Sequence, residues 1–161
     1  MKKFVLDADS AIKLAKAGVL EQFAKNAKCL ISNHVYDEII RGKDKMYEDA
    51  FVAEKLVNEK TLQTVSVTLA ETDESLGLGE RSAKALFSRR GGDAIVSDDS
   101  RFLSGLEKDK VPFMLTTDAI TWMVQSKSLS KKEGIAALDK IRKLVKESSY
   151  EWAKKAIGGE K

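Results

Sequence analysis

The sequence is poor in the residues that cross-link or interrupt a chain: one cysteine (Cys29), one proline (Pro112) and one histidine (His34) stand among 161 residues. A single thiol makes no internal disulfide, which fits a reducing compartment. Its place in the apolar run Cys29-Leu30-Ile31 predicts a buried, structural side chain. One histidine and one cysteine exclude a zinc site of the usual nitrogen and sulfur ligands. No apolar run approaches the roughly 20 residues of a membrane helix, and Met1-Lys2-Lys3 leads into a brief apolar stretch that Asp7 stops, unlike a secretion signal. A cytoplasmic protein is expected. No phosphate-binding glycine loop is present, so nucleoside-triphosphate hydrolysis has no support. There is also no Gly/Ser-rich linker, low-complexity tract or internal repeat, and the length suits one domain. That domain is expected over residues 1–150, with 151–161 as a short tail. Charge is nearly balanced, 28 basic against 25 acidic residues, for a net +3. A basic footprint for nucleic acid must therefore be local if it exists.

Short apolar runs alternate with longer periodic ones. Phe4-Val5-Leu6, Cys29-Leu30-Ile31, Leu62 to Val67, Ala94-Ile95-Val96 and Phe113-Met114-Leu115 read as strands. Helices are predicted over 10–25 with a turn near Gly18, from Ser32 or Asn33 as cap to about Gly42, and over 44–59. Further helices are expected over 79–90 before the stop Gly91-Gly92, from Ser100 to Leu106, and near 118–127 and 130–147. The last opens on Ser130 and Glu133 as a capping box, with Ile135, Leu138, Ile141, Leu144 and Val145 on one face. Strands alternating with helices imply a mainly parallel sheet of about five strands covered on both faces, an α/β/α sandwich. In such sheets ligands bind beyond the carboxyl ends of the strands.

Carboxylates collect at those ends. Asp7 follows the first strand directly, and Asp98-Asp99 follow Ala94-Ile95-Val96-Ser97. An Asp in this position can also cap the next helix. Two further acids lie nearby in the pattern. One is Asp37 or Glu38, which helical pitch does not separate. The other is Glu80, in a first helical turn flanked by glycines, where the helix dipole or a pair with Lys84 would also favour an acid. Two carboxylates about 4 Å apart repel by about 4 kcal/mol at an effective dielectric of 20. A cluster of four needs protonation or a cation. Hard divalent ions such as Mg²⁺ or Mn²⁺ prefer these oxygen donors and commonly serve phosphoryl chemistry. His34, four residues before Glu38, can reach such an ion or lie at the surface.

These residues resemble the PIN-domain nucleases. The resemblance rests on four ordered stretches: Val5-Leu6-Asp7-Ala8-Asp9-Ser10, Val35-Tyr36-Asp37-Glu38-Ile39, Leu76-Gly77-Leu78-Gly79-Glu80-Arg81-Ser82-Ala83, and Ile95-Val96-Ser97-Asp98-Asp99-Ser100-Arg101-Phe102. The last two look most like a prokaryotic, VapC-like subgroup with a Leu-Gly-x-Gly-Glu stretch. The resemblance implies a three-layer PIN-like fold and Mg²⁺- or Mn²⁺-dependent endoribonuclease activity. The setting it implies is either the toxin of a type II toxin–antitoxin pair or an RNA-processing enzyme. It implies Asp7, Glu38, Glu80 and Asp99 as the catalytic, metal-binding acids. Asp98 is an alternate ligand, since Asp99 has the family's usual Asp-x-x-Phe spacing to Phe102. Asp9, where many relatives carry Ser or Asn, and Asp118 are possible extra acids or helix caps. RNA would be the substrate, with Arg81 and Arg101 as its leading cationic contacts and Lys13, Lys84 and Arg89 as further candidates. A small antitoxin or a homodimer could use the apolar faces of 44–59 and 130–147, which ordinary core packing also explains.

Two other readings compete. Asp7-Ala8-Asp9 after a strand also suits a haloacid-dehalogenase-like phosphatase, with Ser32 as its strand-end hydroxyl, though no lysine is clearly placed for it. A PIN-like fold can also serve as a catalytically inactive binding module, a role that gives no reason to gather four acids.

Overall fold

The computed structural model describes residues 1–43, 47–69 and 76–159. Five parallel strands form one sheet: β1 (Lys3–Leu6), β2 (Lys28–Ser32), β3 (Leu62–Val65), β4 (Ala94–Val96) and β5 (Phe113–Met114), in the order β3-β2-β1-β4-β5. The chain winds outward from β1 in one direction through β2 and β3, then returns to add β4 on the other side. The strand order therefore reverses between β1 and β4, the position where open α/β sheets leave a crevice. In that pair Leu6 lies in register with Val96, so Asp7 and the Ser97-Asp98-Asp99 segment leave the sheet side by side.

Alternation along the strands sorts their side chains into two cores. Phe4 and Leu6 of β1 join Cys29, Ile31, Leu62 and Val96 on one face. Val5, Leu30 and Ile95 turn to the other. Among the described residues seven helices cover the first face: α1 (Ala8–Lys16), α2 (Leu20–Asn26), α3 (Asn33–Ile40), α4 (Glu48–Asn58), α7 (Thr116–Gln125), α8 (Lys131–Ile141) and α9 (Glu147–Gly158). The second face is covered by α5 (Leu78–Arg90) through Ala83 and Leu86, and by α6 (Ser100–Lys108) through Phe102 and Leu106. Burying each of these large side chains is worth about 1.5–3 kcal/mol. The expected three-layer sandwich is thus the observed one. Burial pushes the Cys29 thiol up to about 12, in line with its structural reading. None of the described helices is long and apolar enough to cross a membrane.

Local signals place most helix ends. Asp7, Ser32, Asp99 and Ser130 each accept a hydrogen bond from the backbone N–H three residues on. Glu133 completes its box by accepting from Ser130 N at 3.0 Å. Gly18, at φ +78°, separates α1 from α2, and Gly91, at φ +68°, ends α5.

Several boundaries differ from expectation. The helix expected over 44–59 runs from Glu48, and residues 44–46 lie outside the described residues. The third strand stops at Val65, where Asn33 Oδ1 already holds the backbone N–H of Val67 at 2.8 Å. The segment read as one helix over 130–147 is α8, a 3-10 turn at Arg142–Leu144, and then α9. Leu144, expected on the apolar face, is consequently exposed. Residues 151–158, expected as a tail, belong to α9. There Ala153 and Ile157 are buried, and the Tyr150 hydroxyl donates to Asp139 at 2.5 Å under the Arg142 guanidinium.

Candidate active site

A cleft of about 170 Å³ opens at the carboxyl ends of β1 and β4, lined by Asp7, Ala8, Asp9, Lys13, Glu38, Gly79, Glu80, Asp98 and Asp99. Four separate segments thus meet at one place. Of the two neighbouring acids in α3, Glu38 faces this cleft, and Asp37 is not among its lining residues.

Asp7 is the most enclosed acid, 5% exposed. Its Oδ1 accepts from Ser10 N at 2.8 Å, capping α1. The Ser10 hydroxyl donates to Val96 O at 2.8 Å and so staples α1 to the end of β4. Burial raises the Asp7 pKa above its ordinary value. Hydrogen bonds from Ser97 and Ser10 oppose that rise, and the nearby charge of Asp9 adds to it. Ser97 is buried between two acids, since its hydroxyl oxygen also accepts from Asp99 N at 3.2 Å. Asp99 caps α6 through Phe102 N at 2.8 Å with one carboxylate oxygen. The carboxylate as a whole stands exposed at the rim.

Glu80 sits in the first turn of α5. Its pKa is raised, first by burial, then by the negative charge of Asp99, with Asp7 and Glu38 adding to the same effect; a hydrogen bond with the Gly77 backbone opposes them. A carboxylate whose ionisation is opposed by three acid neighbours is one that a divalent cation would relieve. The approach of Glu38 depends on Gly79, because a Cβ there would lie 2.7 Å from Glu38 Oε2. A buried chain of hydroxyls fixes this corner. Ser82 donates to Gly79 O at 2.8 Å and lies 2.5 Å from Ser32 Oγ, which caps α3 through Val35 N at 3.0 Å. Ser32 is therefore committed to structure. This removes the hydroxyl that the phosphatase reading required.

Asp98 is arranged differently from Asp99. Its Oδ1 accepts from Thr116 N at 2.9 Å, and its Oδ2 meets Lys13 Nζ at 3.0 Å. Lys13 also pairs with Asp9 at 2.8 Å. Burial disfavours the Lys13 charge, but these two carboxylates outweigh it and hold its pKa above the ordinary value. Asp118 lies outside the cleft lining: its Oδ2 accepts from Leu115 N at 2.9 Å, closing the first turn of α7.

The candidate cations also separate. Lys84 pairs with Asp109 rather than with Glu80. Arg89 donates to Thr68 O at 2.9 Å. Arg101 is exposed on the first turn of α6, and Arg81 is half-buried on the first turn of α5. Ser97 and Ser82, which position the acids, carry no signal in the sequence, and Lys13, expected as an RNA contact, instead bridges Asp9 and Asp98. A serine between two acidic motifs gives no signal until its neighbours in space are known.

The donor set is all carboxylate, which fits a hard divalent ion and not a soft one. Among the described residues no three acids already meet as a closed ligand shell. The arrangement is an open, electronegative cleft whose acids stand within electrostatic reach of one another.

A family model described as PIN domain matches residues 3–151, most of the chain. None of the curated proteins compared is detectably similar. Proteins with this domain are in general nucleases that use divalent metals. The five-stranded parallel sheet is consistent with this match, and the chain belongs to the PIN-domain family.

Proposed function

We propose that the protein is an endoribonuclease dependent on Mg²⁺ or Mn²⁺. The observation that carries this reading is the meeting of Asp7, Glu38, Glu80 and Asp99, from four segments of the chain, around one cleft at the strand-order reversal. Those four acids are assigned to hold the ion. When bound, the ion supplies charge stabilisation for the phosphodiester and lowers the pKa of an attacking water.

The chain's own groups do the rest. Ser97 and Ser10 hold the Asp7 carboxylate in place and offset part of the cost of burying it. Lys13 and Thr116 N occupy Asp98, which assigns it to orienting α7 and α1 and leaves Asp99 as the rim acid offered to the ion. Asp9 and Asp118 serve Lys13 and the α7 cap respectively. Arg81 and Arg101, on the opening turns of α5 and α6, are the cations proposed to meet the RNA backbone. The choice of RNA over DNA follows the resemblance of the four acidic stretches. An inactive binding module would have no use for an acid such as Glu80, which three acidic neighbours work against.

The test is cleavage of single-stranded RNA by the purified chain with Mn²⁺, with chelator, and by Asp99→Asn. Cleavage that chelator abolishes and that Asp99→Asn lacks supports the reading. Equal cleavage in all three defeats it.

A further inference from the structure

A second pocket adjoins the acidic cleft, and the two share Glu38. It encloses about 370 Å³ between α1, α3 and α4, within the range of about 300–1,000 Å³ usual for small-ligand sites. Its floor is apolar: Ile39 and Ala50 are buried and Ile12 is half-buried. At its rim Tyr47 is 55% exposed and its ring makes no ring or cation contact among the described residues. Arg41, also exposed at the rim, makes no ion pair among the described residues. The neighbouring Lys16 spends its charge on Asp49 at 3.1 Å, so Arg41 and Glu38 are the remaining charges of the lining and balance each other in number.

We propose that this pocket takes one unpaired nucleobase of the RNA strand, next to the phosphate that lies over the acids. The inference rests on the nuclease reading above and adds a specificity site to it. Three features choose a base over a peptide side chain. Glu38 lines both the pocket and the cleft, so an occupant of the pocket lies beside one of the acids. An aromatic ring and an arginine lining one pocket are the two groups that single-stranded RNA readers use: the ring stacks a base and the guanidinium meets phosphate. Arg41, which makes no ion pair among the described residues, supplies a cation for the phosphate beside the base. Tyr47 is the stacking residue and Arg41 the charge at the entrance.

The test uses a short oligoribonucleotide with a known cleavage position, and versions carrying one abasic site at each nucleotide flanking it. KM and kcat with Mn²⁺ are measured for the wild-type chain, Tyr47→Ala and Tyr47→Phe. The expected result is one flanking position where base removal raises KM about tenfold, the size of a single stacked base, with kcat little changed. Tyr47→Ala should show that same loss on the intact strand and no further loss on the abasic one, and Tyr47→Phe should behave as wild type. Normal cleavage with a flat abasic scan overturns the base pocket, hands it to a protein partner, and leaves the nuclease reading standing. A position-specific loss that persists unchanged in Tyr47→Ala also overturns it, since the base is then read elsewhere. Absence of metal-dependent cleavage overturns both readings together.

Discussion

Gly79 gives Glu38 its place: a β-carbon at position 79 would come within 2.7 Å of the Glu38 carboxylate. The displaced atom is the end of a flexible side chain, so Gly79→Ala should move Glu38 out of the cleft without disturbing the backbone. Position 79 lies in the first turn of α5, where alanine is the better helix former by up to about 1 kcal/mol. The expected variant is as stable as wild type or slightly more so, yet about 10- to 100-fold weaker in Mn²⁺ affinity or activity. Paired denaturation and activity curves check this. A variant that loses stability and activity together would make Gly79 a packing residue only.

Lys13 should act in the opposite sense to the acids. It bridges Asp9 and Asp98, and its side chain and that of Asp98 are both largely covered, 12% and 14% exposed. Lys13→Met leaves Asp98 enclosed without its partner, so the metal-free protein should lose about 1–3 kcal/mol. Removing a positive charge beside the cleft should at the same time raise the affinity for Mn²⁺. Denaturant titration with and without Mn²⁺ reads both effects. If Lys13→Met weakens Mn²⁺ binding, its role as a counter-charge at the edge of the site is wrong.

The raised acids give a signed dependence on pH. Burial raises Asp7, and burial together with Asp99 raises Glu80, so the folded chain keeps protons that the unfolded chain has released. Where the native state binds more protons, unfolding free energy falls as pH rises. The stability these two groups lend is complete below their ordinary values of 3.8 and 4.5 and is lost as pH climbs through the raised folded values. Asp93, Glu133 and Glu147 are shifted downward and act in reverse, but at exposed positions that solvent screens. Asparagine caps a helix as well as aspartate does. Metal-free Asp7→Asn should therefore gain in melting temperature over wild type as pH rises toward neutrality, and Mn²⁺ should close that gap. A gap that stays constant with pH would show that repulsion and burial do not govern Asp7.

The strands and the acids were legible in the sequence for different reasons. A buried parallel strand needs a short β-branched or apolar run, and Phe4-Val5-Leu6 or Ala94-Ile95-Val96 has few other uses. The acids stood out because Asp7 and Asp98-Asp99 end such runs. What was hidden depends on contacts between segments far apart in the chain. Asp98 and Asp99 are chemically equal in sequence; Lys13, 85 residues away, separates their roles. Ser97 and Ser82 look like ordinary small residues until the acid or carbonyl they serve is placed beside them. The break at Arg142–Leu144 leaves no trace in the sequence, because no proline or glycine marks it. Tyr150, set against Asp139 and Arg142, joins buried Ala153 and Ile157 in holding α9 onto the fold.

The proposed activity requires that the acids of the cleft bind a divalent cation as a set. Calorimetric titration of Mn²⁺ into the metal-free wild-type chain, beside Asp99→Asn and Glu80→Gln, measures this directly. Saturable binding in wild type that falls at least about tenfold in each variant, with both variants folded, is the predicted result. Wild-type binding that neither substitution weakens, or no binding at all, would contradict it.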